Sequence, residues 1–497
     1  MKAPLLFLSS ALLVACESEP GPADPGTQEA DLGVPAYWDA PVSRVSESIA
    51  KPMRASCKFG RGTMPAQTLG KEMPVDRDIP IDTVVVFQQE NRSFDSYFGR
   101  LGRYLGRSDI ESPPEGASNP TASGERVPWQ HGPLPCMPDT NHEWAGVHRQ
   151  LNGGRMDGFF LTNDQWSEGT YRQLDEKTLS GNRAMWFYDE RELPYYYELA
   201  KNFAIADHYF ASVPGPTYPN RQYLYAATSF GVTSNHAPDS ELLGDNRVIF
   251  DELEKRGVTW KIYTAGFPSI PRVGALLGAS YMGRWGLFGG GHFATMWEFE
   301  SDAKNGTLPN VAFVDASINE DVWGADEHPP GDIQTGQRWI AQQMDKLMKS
   351  PQWPSLAAFL TYDEHGGIYD HVVPPAACPP DEHEPVLESK DDRAWPGRFD
   401  QYGPRVPFVA VSPWVKKGHV SHVTYDHTSV LRFIEAKFRL PAMSARDANA
   451  DALFDLFDFS RRSIPTPPAI PIPKVNSRAL SVCVELLGPP PPQNGDH

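Results

Sequence analysis

Basic residues are scarce in this chain of 497 residues, where 45 Lys and Arg stand against 63 Asp and Glu for a formal charge of −18. Such a chain lacks the positive face that displaces counterions from phosphate backbones, which excludes nucleic acid as a partner. Long hydrophobic runs are missing as well. Mean hydropathy is −0.44, too polar for a protein that crosses a membrane many times. Cysteines number only five, with no CxxC or CxxH pair, which argues against a structural zinc site. Internal repeats are absent, as are a GxxxxGK[ST] loop, an HExxH pair, a GxSxG elbow and a dinucleotide fingerprint after the first strand. The enzyme classes that depend on those motifs lose their sequence support. Hydrophobic residues are plentiful at 40%, of which aromatics supply 11% of the chain, enough for a packed core. The 48 prolines and 41 glycines predict long ordered loops around that core rather than a helical bundle. Length permits several domains or one large α/β domain.

The N-terminus carries an address. Residues 1–15 read as a secretory signal, with Lys2 as the positive start and Leu5 to Val14 as an apolar stretch too short to span a bilayer. Leu13-Val14-Ala15-Cys16 resembles the lipobox of bacterial lipoproteins, which implies lipidation of Cys16 and peripheral attachment to a membrane. The plainer reading is a signal peptide with an incidental cysteine. The expected location is the bacterial cell envelope or surface, or the medium if the chain is secreted. Residues 16–50, acidic and rich in Pro and Gly at their start, read as a flexible tether. Beyond Cys16 remain Cys57, Cys136, Cys378 and Cys483, an even set that allows up to two disulfides; the sequence does not choose among the three full pairings.

Short apolar β-branched runs recur at Thr83 to Phe87, Val258 to Tyr263, Val311 to Val314, Leu356 to Leu360 and Val406 to Val411, and read as buried strands. Helical patterns fall at Glu192 to Asn202, Val248 to Lys255, Gln334 to Lys349 and Thr428 to Phe438. Strands alternating with helices predict an α/β fold whose mostly parallel sheet is covered on both sides. Residues 51–487 read as a single catalytic domain closed by a proline-rich strap, and 488–497 as a disordered Pro-rich tail. The aromatic stretch Trp285 to Trp297, with Gly289, Gly290 and Gly291, reads as loop packing or as a lipid-contacting lid.

Chemistry in such folds gathers at the carboxyl ends of strands. Glu90-Asn91 follows the first run, Asp315 ends the third, and Asp363-Glu364-His365 follows the fourth. A carboxylate and an amide at a strand end are oxygen ligands for a hard divalent cation, and also what a capped strand-to-helix turn looks like. Adjacent carboxylates at Asp363 and Glu364 repel in a dry site unless a cation compensates them; on the surface they are an ordinary solvated turn.

The segment Glu90-Asn91-Arg92-Ser93-Phe94-Asp95-Ser96-Tyr97-Phe98-Gly99 resembles the ENRSFDxYFG signature of the bacterial phosphoesterases that include phospholipases C and acid phosphatases. Gly215-Pro216-Thr217-Tyr218-Pro219-Asn220-Arg221, Tyr362-Asp363-Glu364-His365-Gly366-Gly367 and Tyr369-Asp370-His371-Val372 are similar to further blocks of that family, in its order. The resemblance runs from about Cys57 to Phe438. It implies an alkaline-phosphatase-like, three-layer α/β/α sandwich and a metal-dependent phosphoric ester hydrolase. It makes Thr217 the nucleophile. The metal ligands would be Glu90, Asn91, Thr217, Asp363 and Glu364, holding one divalent ion of the Ca, Mg or Mn kind. His142 and His328 would serve phosphoryl oxygens or the leaving group, and Arg92 would be a phosphate contact, unless it forms a structural salt bridge. The favoured activity is phospholipase C-like cleavage of phospholipid head groups through a phosphothreonine. The alternatives are an acid phosphatase on small phosphomonoesters and a non-catalytic binding protein. Metal identity, head-group preference and oligomeric state are not set by the sequence.

Overall fold

The computed structural model describes residues 34–167, 175–236, 248–265, 291–316 and 324–488. Eight strands form one sheet: β1 (Thr83–Gln89), β2 (Ala204–Ala206), β3 (Trp260–Thr264), β4 (Phe293–Thr295), β5 (Val311–Asp315), β6 (Leu356–Tyr362), β7 (Phe408–Val411) and β8 (Val420–Ser421). Their spatial order is β8-β2-β7-β6-β1-β5-β3-β4, and β7 alone runs against its neighbours. Every residue of β1 and of β6 is buried, so both faces of the sheet centre are covered.

The longer helices among the described residues are α1 (Glu47–Ala55), α2 (Trp144–Leu151), α3 (Pro194–Asn202), α4 (Thr217–Ala226), α5 (Ile249–Arg256), α6 (Met296–Asn305), α7 (Ile333–Met348), α8 (His427–Phe438) and α9 (Ser477–Leu487). In one set α7 packs on α3 and α6; in another α8 packs on α4 and α5. Helix, sheet and helix make the three-layer α/β/α sandwich. Each of the five apolar runs contributes a strand to it, and the four helical patterns correspond to α3, α5, α7 and α8.

Residues 34–50, read from the sequence as part of a flexible tether, are packed on the domain. Residues 1–33, which include the expected signal and Cys16, lie outside the described residues. From residue 34 the chain packs on the domain: Trp38 is 2% exposed beneath the Arg256 guanidinium, Asp39 pairs with Arg256 and Arg439, and Arg44 donates to the carbonyls of Gly70 and Met73. Those contacts come from distant parts of the chain, which local composition does not register. Two disulfides close the domain, Cys57–Cys378 and Cys136–Cys483. The second pins α9, which follows the proline-rich strap, to the loop that leads into His142. The Trp285 to Trp297 stretch lies mostly outside the described residues; Trp297 itself is 85% exposed at the start of α6. Among the described residues no helix is long and apolar enough to cross a membrane.

Candidate active site

The strand order places β1 between β6 and β5, all parallel, and Gln89 aligns with Tyr362. The next residue of each strand, Glu90 and Asp363, therefore leaves the sheet side by side. Asn91 turns in the left-handed region at φ 56°, and its backbone N–H donates to Asp363 Oδ1 at 3.0 Å. The Glu364 N–H donates to the same oxygen at 2.8 Å. Glycines at 366 and 367 let this turn close: a Cβ on Gly366 would fall 2.5 Å from the Asn91 carbonyl, and one on Gly367 would fall 2.4 Å from that of Asn141. Both also have φ above +60°.

Thr217 opens α4. Asn220 shapes its approach by accepting from the Val213 N–H and donating to the carbonyls of Gly215 and Pro216. The Thr217 hydroxyl, on a residue 6% exposed, donates to Glu90 Oε2 at 3.4 Å. One turn later on the same helix face, Arg221 donates to Glu90 Oε1 at 2.7 Å and to Asp315 Oδ1 at 2.8 Å, and lies 3.8 Å from Asp363 Oδ2. His142 and His328 complete the ring, centroids 5.9 Å apart. Each engages a backbone carbonyl through Nδ1, of Thr140 at 2.7 Å and of Pro329 at 2.5 Å, which turns Nε2 toward the site. Asp139, His142 and His328 also bring ligand-capable atoms within 4.8 Å of one another.

Charge in this ring is unbalanced. Glu90, Asp315 and Asp363 are buried against the single guanidinium of Arg221, and Glu364 is buried beside them. Burial raises the Glu90 carboxyl, but Arg221 and His328 outweigh it and hold it below the usual range. Asp363 is pushed well above its usual value by burial and by the Glu90 charge beside it. Burial lowers the His142 imidazole, yet the carboxylates of Glu364, Asp139 and Glu143 lift it to about 10.

A cation fits this ring. Asp363 Oδ2 is buried with no hydrogen-bond partner. The Asn91 side-chain oxygen faces Glu364 Oε1 at 2.8 Å and Glu90 Oε2 at 3.2 Å, three acceptors turned on one another. Reversing the amide resolves the conflict with protons, Nδ2 then donating to both carboxylates and Oδ1 accepting from His328 Nε2 at 3.0 Å. A hard divalent ion among those oxygens resolves it equally well.

The family model described as Phosphoesterase family matches residues 81–441. This chain belongs to the phosphoesterase family. It is a phosphoric ester hydrolase. It is similar to non-specific phospholipase C1 of Arabidopsis thaliana, 31% identical over 412 residues that cover 78% of this chain and 73% of the relative. A Mycobacterium tuberculosis phospholipase C B is 31% identical over 445 residues, 80% of this chain and 81% of that one. Among solved structures, an alkaline phosphatase superfamily protein from Vibrio parahaemolyticus aligns over 76% of this chain and 71% of that one at 10% identity, with a TM-score of 0.37. That likeness is too loose to bear on function.

Seven of the side chains singled out from the sequence, Glu90, Asn91, His142, Thr217, His328, Asp363 and Glu364, meet in the one ring. Arg92 does not. It is fully buried and turned away, its Nε donating to the Tyr97 hydroxyl at 3.1 Å and an Nη donating to the Glu327 carbonyl at 2.6 Å, which leaves it unable to touch a phosphate in the ring. Its partners are a phenol and a carbonyl, so it is not a salt bridge either. Sequence reasoning gave Arg221 no role, although its i, i+4 spacing from Thr217 was a readable signal, and it passed over Asp139, three residues before His142. His427 lies beside the ring with Nε2 on the Asp363 carbonyl at 2.7 Å; burial drops its pKa to about 4, so it is the neutral donor there.

Proposed function

We propose that this hydrolase is a metal-dependent, phospholipase C-like enzyme that works through a phosphothreonine on Thr217. The observation that carries the reading is the Thr217 hydroxyl held at the start of a buried helix, 3.4 Å from Glu90, inside the ring of oxygen donors and histidines. Relatives named phospholipases C, matched over most of this chain, support the choice of substrate class. Glu90, Asn91, Asp363, Glu364 and the Thr217 oxygen would hold one divalent ion, Ca, Mg or Mn. When bound, the ion lowers the pKa of the threonine hydroxyl and offsets charge on the phosphoryl oxygens.

Thr217 Oγ1 attacks phosphorus and gives its proton to the carboxylate beside it. The bond from phosphorus to the glycerol oxygen breaks, and one of His142 and His328 protonates the departing alkoxide while the other donates to a phosphoryl oxygen. Water then attacks the phosphothreonine and the same histidine takes its proton; the bond from phosphorus to Thr217 Oγ1 breaks, Glu90 returns its proton to Oγ1, and the phosphorylated head group leaves. Arg221 aims Glu90 at the hydroxyl and keeps it ionised until it receives the threonine proton. An exported chain lipidated at Cys16 would meet phospholipid at the surface to which it is attached.

The test is turnover of phosphatidylcholine vesicles and of a chromogenic phosphomonoester, before and after chelation, with Thr217→Ala alongside. Diacylglycerol release that needs both the metal and Thr217 supports the proposal. Turnover of the monoester alone makes the enzyme a phosphatase, and inactivity on both with metal supplied makes it a binding protein.

A further inference from the structure

We propose that Glu327 is a positioning residue that fixes His328 over the site, its carboxylate gripped by three tyrosine hydroxyls beneath the loop. The proposal rests on the reading of His328 given above. Glu327 is completely buried, and its backbone lies in the left-handed region at φ 72°, a conformation costly for a residue with a Cβ unless its surroundings impose it. The surroundings here do impose it. Tyr97 and Tyr362 donate to Oε2 at 2.6 and 2.9 Å, Tyr196 donates to Oε1, and Gln89 Nε2 lies 3.4 Å from Oε1. The carbonyl of the same residue receives the Arg92 guanidinium at 2.6 Å. These donors come from the ends of β1 and β6, from α3 and from the segment after β1, so four separate parts of the fold converge on one side chain.

The space around it is equally restricted. A Cβ on Gly336, in the first turn of α7, would fall 2.1 Å from Glu327 Cγ, so the helix offers a gap where the glutamate stem passes. On either side the backbone is also tied down: the Glu90 N–H donates to the Asp326 carbonyl at 2.9 Å, and the His328 N–H donates to Asp326 Oδ1 at 3.2 Å. Glu327 itself touches none of the ring and faces the tyrosines. What it determines is the backbone twist that immediately precedes His328, and through it the direction of the imidazole. Four donors on two oxygens call for an acceptor-only group, and glutamine supplies one oxygen and a competing NH₂. Arg92, unsuited to phosphate binding by its burial, finds its use here as a second hold on the same loop.

The experiment is a double-mutant cycle on the full-length enzyme with the phosphoester substrate that proves active, comparing Glu327→Gln, His328→Ala and the double variant, each checked for folding by thermal melting. Glu327→Gln should lower kcat by about 10- to 100-fold with KM nearly unchanged, since misdirecting a group that acts in the transition state reduces kcat rather than binding. In the His328→Ala background the same change should cost less than about twofold, because the group it positions is gone. Equal losses in both backgrounds would overturn the positioning role while leaving the reading of His328 intact. Wild-type turnover by His328→Ala would instead remove the reading of His328 and the proposal with it. If Glu327→Gln does not fold, Tyr97→Phe and Tyr362→Phe each remove one donor and take its place in the cycle, with the same two outcomes.

Discussion

The chain buries two clusters of charge built on the same two segments, and their balances are opposite. Glu90 and Asp363 face one arginine, Arg221, with Glu364 buried beside them, an orphaned oxygen on Asp363 and a conflicted amide on Asn91. A few residues further along each segment, Asp95 and Asp370 face one arginine, Arg405, and nothing is left over. Arg405 donates to Asp95 Oδ1 at 2.7 Å and to both oxygens of Asp370 at 2.9 and 3.1 Å, while the second Asp95 oxygen takes the backbone N–H and Nδ1 of His371, each at 2.7 Å. The saturated cluster closes a structure. The unsaturated one is arranged for something to arrive.

That contrast breaks most visibly at the nucleophile. Thr217→Ala should cut kcat by about 10⁴-fold or more, as removal of a covalent nucleophile does elsewhere, with stability changed by less than about 1 kcal/mol. Steady-state kinetics and denaturant unfolding of one preparation check both halves, and a variant that keeps a tenth of its activity rules out the covalent route. Arg405→Met should do the reverse. It strands two buried carboxylates and should cost roughly 3–5 kcal/mol of stability, read from the urea midpoint. A shift well under 1 kcal/mol would mean the second cluster is no clamp.

His371 gives that clamp a pH dependence. Burial lowers its imidazole, but the hydrogen bond and charge of Asp95 raise it to about 9 from an ordinary 6.5. Its contribution should be complete below about pH 6.5 and disappear as pH rises through about 9. The stability gap between wild type and His371→Gln should therefore shrink by on the order of 2 kcal/mol over that window; a constant gap would exclude the linkage. The smallest effect expected is the most diagnostic of the ring. In metal-free buffer Asp363→Asn should be more stable than wild type by about 1 kcal/mol, because it relieves the repulsion with Glu90 and keeps the oxygen that accepts from Asn91 and Glu364. With divalent metal supplied the order should reverse, since only the wild type gains binding energy. Thermal melting with and without chelator reads both.

The site was legible to the extent that its chemistry sits at strand ends. The apolar runs before Glu90, Asp315 and Asp363 marked where the sheet stops, and the rule that ligands gather there did the rest. Arg92 was misread because its neighbours in sequence are site residues, whereas burial in a tyrosine cluster is a property of packing. The strands Ala204–Ala206, Phe293–Thr295 and Val420–Ser421 went unseen because two or three residues carry no period to read. The packing of residues 34–50 was hidden for a related reason: Trp38 finds Arg256 only once the domain has formed.

By itself, the sequence determined the class of fold, the ends of the long strands and the supply of oxygen donors, because hydrophobic periodicity and residue chemistry are local. Tertiary structure alone decided which of three disulfide pairings forms, that Arg221 rather than Arg92 serves the ring, and that Glu327 lies at the focus of three tyrosines. Those outcomes depend on strand order and on contacts between residues 35 to 347 positions apart, which only the folded chain brings into reach.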